Sequence, residues 1–279
     1  MKVDNLSNDG VIIANGSINA KNVKNIKDIT AVGTVSSDDL ITSGNVRANG
    51  KITVSGKLEN SGAVETSKNI SVAGNIKNDG RIAANDDLAG KNTENNGNIY
   101  VKNLEVNSLR NTGKVEGVNL KTDDIANSRD ITAIGKISSG NIDNSGKLLA
   151  NDTISAKNIK NATSSSKIAA GKGITGERIE NSGIFATNGD IKATSSLVNS
   201  GTVDDCGTGA DQWHPDRTGG HGSDPGARPH RGHPSSVGRS PGGPLRGARG
   251  LVRRLRGARR RGLAGMRRPP MGEPGRDQR

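Results

Sequence analysis

Apolar residues along roughly the first 200 positions fall into three columns, each returning every 16 to 20 residues. The first column runs Ile12, Ile29, Val46, Val64, Ile82, Ile99, Val115, Ile131, Leu148, Ile168, Phe185, Val203. The second runs Ile18, Val35, Ile52, Ile70, Leu88, Leu104, Leu120, Ile137, Ile154, Ile174, Ile191. The third runs Leu6, Val23, Leu40, Leu58, Ile76, Leu109, Ile125, Ile142, Ile159, Ile179, Leu197, with Thr93 its one polar member. Gly, Asn, Asp and Ser separate them, so each repeat predicts three short strands joined by polar corners.

A polar column keeps step with these. Asn recurs at Asn8, Asn25, Asn60, Asn78, Asn95, Asn111, Asn127, Asn144, Asn161, Asn181 and Asn199, and Thr42 fills the remaining slot. The first apolar column stands four residues after each slot, except that Ile168 stands seven after Asn161, where Ser164-Ser165-Ser166 reads as a three-residue loop insertion. Two residues beyond the first apolar column sits a mostly small residue, as at Ala14, Ala31, Ala48, Ala84, Ala133 and Ala150.

A unit of 16 to 20 residues cannot bury its apolar residues alone, but copies stacked on one another can. The expected fold is all-β: a right-handed parallel β-helix over residues 1–203, a three-sided solenoid with about 17 residues per coil. Equivalent residues of successive coils would then lie about 4.8 Å apart. Stacked Asn side chains carry both donors and acceptors and can bond from coil to coil, and Asn tolerates left-handed backbone at a corner. The frequent Gly two residues before the first column, as at Gly44, Gly62, Gly80 and Gly97, is expected to supply a positive φ. No proline interrupts the first 201 residues, as ladder hydrogen bonding demands. A disordered Asn/Ser/Lys-rich segment would not hold this register, and Asn, Gly and Ile at such spacing make poor helices.

Composition changes the picture near residue 202. The first 201 residues carry 24 basic and 21 acidic side chains, the rest 16 and 7, so most of the formal net charge of +12 belongs to residues 202–279. That part holds all nine prolines and sixteen Arg but no Lys, Asn or Ile. It is expected to be a low-complexity, disordered Arg/Gly/Pro-rich tail over 204–279. An out-of-frame translation of GC-rich DNA would give the same composition; a genuine basic tail and a small folded domain are the alternatives. Only 1% of the chain is aromatic and its one cysteine is Cys206, so neither an ordinary aromatic core nor a disulfide scaffold is available. No apolar run approaches the ~20 residues of a membrane span. The first residues form no apolar signal-peptide core.

Little in the chain suggests catalysis. Cys206, His214 and His221 match no metal-ligand spacing. Asp38-Asp39 and Asp123-Asp124 fall on one corner but five coils apart, about 24 Å at the usual strand spacing. That exceeds the ~10 Å within which a carboxylate pair cleaves a glycosidic bond. Asp86-Asp87 belongs to another corner. Gly171-Lys172-Gly173 and Gly74-Asn75 lack the frame of a phosphate loop. The Arg clusters have no interleaved aromatics, so no specific nucleic acid is expected. Corner lysines such as Lys21, Lys24, Lys77, Lys157 and Lys160 keep the surface solvated, with a sulfated glycan as their one candidate ligand. The expectation is no enzyme, no cofactor and no metal.

The units Asn60-Ser61-Gly62-Ala63-Val64, Asn144-Ser145-Gly146-Lys147-Leu148 and Asn181-Ser182-Gly183 resemble the haemagglutinin repeats of the filamentous haemagglutinin family, large bacterial exoproteins of two-partner secretion. The resemblance covers about residues 1–205. It implies a structural shaft of a secreted or cell-surface adhesin, exported by an outer-membrane two-partner transporter, with host glycans or surface receptors as ligands. Contact-dependent growth-inhibition toxins use similar repeats as a stalk, and some β-helices act on polysaccharides. The family's N-terminal secretion domain and a terminal receptor-binding or toxin domain are not recognisable, so a fragment of a longer shaft is expected.

Overall fold

The structure, a computed structural model, describes residues 1–205; what the sequence leads one to expect of the tail, Cys206, His214 and His221 included, lies outside the described residues. The described chain is all-β, with 27 strands and no helix. Every strand pairing is parallel, and each strand meets its counterpart one coil on. The chain is therefore a β-solenoid of about 12 turns with about 17 residues per coil.

The first apolar column builds a 12-stranded sheet running from Val11–Ala14 to Thr202–Asp205. Its register stacks like on like: Val64 lies between Val46 and Ile82, and Phe185 between Ile168 and Val203. The second and third columns together build a 15-stranded sheet. Ile52 there lies between Val35 and Ile70, and Ile125 between Leu109 and Ile142. Ile52, Val64 and Ile82 are each 0% exposed, as is Phe185, the bulkiest core side chain. Each such burial contributes roughly 1.5–3 kcal/mol, which lets a narrow aliphatic core stabilise a chain with almost no aromatics.

Three separate strands per coil occur only in part of the molecule. Val35–Ser37 and Asp39–Thr42 are distinct, as are Ile52–Val54 and Leu58–Asn60, and Ile70–Val72 and Ile76–Asn78. From Asp87–Asn95 onward the second and third faces are one bent strand, as in Asn103–Asn111 and Thr153–Asn161. Part of the reason is spacing. Leu104 and Leu109 are five residues apart, whereas Ile52 and Leu58, like Ile70 and Ile76, are six apart. The extra residue, at Ser55-Gly56 and Ala73-Gly74, breaks the strand. The same excess in Asp190–Asn199 is absorbed by a register shift opposite Gly176 and Arg178.

Candidate functional site: the axial amide ladder

Each complete third-face strand ends on the Asn slot, so these residues are extended and not left-handed as expected from Asn at a corner. Two residues inward of the corner the third apolar column is buried, which turns the Asn side chain into the solenoid as well. All but Asn199 are buried, Asn78, Asn95, Asn111, Asn144 and Asn161 completely. Nδ2 of Asn8, Asn60, Asn78 and Asn95 donates to Oδ1 of the Asn one coil on at 2.7 Å. Asn111, Asn127, Asn144, Asn161 and Asn181 continue the chain at 2.8–2.9 Å. From Asn8 to Asn161 each Nδ2 also reaches two carbonyls: for Asn127, Arg129 O of its own coil at 2.9 Å and Lys147 O of the next at 3.1 Å. A buried amide is thereby satisfied on both sides, and three backbone segments are tied at one point.

Thr42 interrupts the ladder. Its Oγ1 accepts from Asn25 Nδ2 and donates to Gly44 O, both at 3.1 Å. Having no amide, its side chain offers nothing to the next coil, and Asn60 Oδ1 is left buried without a partner.

Two readings of this corner are corrected by the structure. Ser166 does not protrude with Ser164 and Ser165; it is 0% exposed and stands in the Gly slot, where its carbonyl accepts from Asn161 Nδ2 at 3.3 Å. Register pairs Lys167 with Lys147, so the inserted residues are Thr163-Ser164-Ser165. A turn closes them, with Ser166 N and Oγ both donating to Thr163 O. The slot glycines, for their part, do not adopt a positive φ. They are small because coils stack: a β carbon on Gly62, Gly80, Gly97 or Gly113 would run into the carbonyl of the slot glycine one coil before.

The surface carries further ladders that the column analysis missed. Outside the third face, Asn158 Nδ2 donates to Asn141 Oδ1, and Asn141 Nδ2 to Asp124 Oδ1, both at 2.7 Å. Asn119 and Asn103 continue to Asp87 in the same way outside the second face. These point backward along the chain, opposite to the buried ladder. Their signal was an Asn or Asp just before the second or third apolar column, diluted by Lys57, Ser108 and Arg178 at equivalent positions.

Four of the candidate carboxylates, Asp38, Asp39, Asp87 and Asp124, accept hydrogen bonds from the following coil. Asp38 Oδ1 takes the Ser55 hydroxyl at 2.6 Å, and Asp39 Oδ1 the Lys57 amide at 2.9 Å. Asp124 and Asp39 stand in one outward column, five coils apart as expected. On the first face Arg47 and Arg81 flank Glu65, and Arg81 lies over the Tyr100 ring. Lys57 and Lys121 are held above the ordinary lysine value, first by hydrogen bonds to Glu59 and Glu105 and then by those carboxylates' charge. Among the described residues no group of three or more His, Cys, Asp or Glu is placed to hold a metal, and no helix is long and apolar enough to cross a membrane. Shallow concavities run along the third face, one of them lined by Ser108, Arg110, Asp124, Asn141, Asn158 and Lys160. No protein-family model matches the chain, and neither a curated protein nor a solved structure shows significant similarity to it.

Proposed function

We propose that residues 1–205 serve as a rigid shaft in a secreted or surface-displayed adhesin-like exoprotein. The carrying observation is the unbroken stacking of about 12 turns around one aliphatic core, reinforced by the axial amide ladder. That architecture gives a rod of about 53 Å. It can hold another domain away from a surface without moving. Export through an outer-membrane transporter, and contact with host glycans or receptors through the corner loop at Ser164-Ser165, rest on the resemblance of the repeats.

Antibodies against the described coils, applied to intact producing cells, test the display. Labelling before permeabilisation is the expected result. Labelling only after permeabilisation, with protein present, would overturn it. Small-angle scattering of the purified chain tests the shaft itself: the cross-section should be that of a solenoid and the long dimension should fall by about 4.8 Å for each coil deleted.

A further inference from the structure

The coils are not equally joined. We propose that the interface between the coil containing Val35–Thr42 and the coil containing Ile52–Asn60 is a built-in seam, at which the solenoid opens first and releases the coils before it as one unit.

Three kinds of observation converge there. Thr42 makes no side-chain bond to the following coil, and Asn60 Oδ1 lies buried and unpartnered across the interface. In the second-face strands, Ser37 Oγ and Thr53 Oγ1 are also buried without partners. Ser37 pairs with Val54, which offers it nothing. Thr122 shows the satisfied version: its Oγ1 bonds the Ser139 hydroxyl of the next coil at 3.0 Å. Finally, both strands flanking the seam are broken at the corner, as is that of the coil after them, whereas the coils after Asp87 carry continuous strands. Of the five buried side-chain atoms without partners among the described residues, Asn60 Oδ1 thus lacks its donor across this interface and Ser37 Oγ and Thr53 Oγ1 belong to the two strands that meet at it; the side-chain bonds from Ser55 to Asp38 and from Lys57 N to Asp39 that do cross it are exposed.

In a solenoid, stability is close to a sum over neighbouring coils, so the weakest interface sets where a cooperative unit ends. An unpartnered buried acceptor weakens its interface by the desolvation it suffers. Simple fraying from the end would open the coils in order from Met1 inward. A seam reverses part of that order.

Native-state hydrogen exchange on the full chain separates the two. Ser43 N donates to Asn25 O, before the seam; Ser61 N donates to Thr42 O and Ala63 N to Gly44 O, across it. The expected result is that Ser61 and Ala63 exchange at least as fast as Ser43, although they lie farther from the N-terminus. Thr42→Asn, which restores the missing donor to Asn60 Oδ1, should slow Ser61 and Ala63 about tenfold or more. It should also return the order to end-inward. Ser37→Ala, which removes an unpartnered hydroxyl from a column that holds Ala20 and Ala156, should slow the Ser55 amide and keeps the test alive if Thr42→Asn folds poorly. Greater protection of Ser61 than of Ser43 in the unaltered chain overturns the seam, as would both variants leaving exchange unchanged.

Discussion

Two rows of amides run along this solenoid with the same residue types, nearly the same spacing and nearly the same bond length. Asn127 and Asn144 meet at 2.8 Å inside the corner; Asn141 and Asn158 meet at 2.7 Å on its outside. What separates them is water. The inner row is buried, so a missing partner leaves an acceptor with nothing, as at Asn60. The outer row is exposed, and it tolerates Lys57 and Arg178, which interrupt it, and Ser108, whose hydroxyl donates to Asn92 Oδ1 in place of an amide, because solvent replaces whatever they fail to supply. Geometry alone would rank the two rows equal; burial makes only one of them a determinant of the fold.

The sharpest test cuts the same bond in both rows. Asn127→Ala removes the donor to Asn144 Oδ1 and the acceptor of Asn111 Nδ2, and opens a small cavity. The expected loss is about 2–4 kcal/mol, from one orphaned buried acceptor plus lost packing. Asn141→Ala breaks two exposed bonds and should cost less than about 0.5 kcal/mol. Urea melts of the two variants, at matched m-values, measure the difference. Equal losses would mean that the ladder bond itself, and not its burial, carries the stability.

A smaller effect of opposite sign is expected within the core. Thr93 occupies the third apolar column between Ile76 and Leu109, 2% exposed, and its hydroxyl has no partner. Thr93→Val replaces the hydroxyl by a methyl of similar size among aliphatic neighbours. A gain of about 1 kcal/mol in the same melts is expected. A loss would show that the hydroxyl finds a donor or acceptor through rearrangement.

Much of this was legible in the chain before any coordinates. The constant offsets around the Asn slot are the imprint of a corner tied by side-chain bonds, and the apolar columns are the imprint of stacking. The corner between the second and third faces left a fainter trace, because packing there accepts five residues or six. That corner determines whether strands fuse, so strand continuity was not foreseeable. The slot glycines were misread because their reason lies one coil away: a neighbour's carbonyl, not their own φ. Ser166 was misread likewise, since an insertion looks the same in sequence whichever of its residues turns inward. The outer amides were invisible as ladders because nothing compels their column to be complete.

The smallest expected effect concerns charge. The ladder amides do not titrate, so the corner they hold should be indifferent to pH. Lys57 and Lys121 do titrate, and their partners Glu59 and Glu105 raise both above 10.5, the ordinary lysine value. A raised folded value means that the stabilisation is complete below 10.5 and is lost as pH climbs through the higher folded values. Both pairs are solvent-exposed, with the ammonium and carboxylate well hydrated in the unfolded chain too, so the loss should be slight. Lys121→Met should leave the melting midpoint within error at neutral pH, in low salt and high salt alike. The midpoint of the unaltered chain should stay level through neutral pH and sag only on approach to the lysine range. A marked salt or pH dependence near neutrality would mean that surface pairs, and not the buried amides, hold the coils in register.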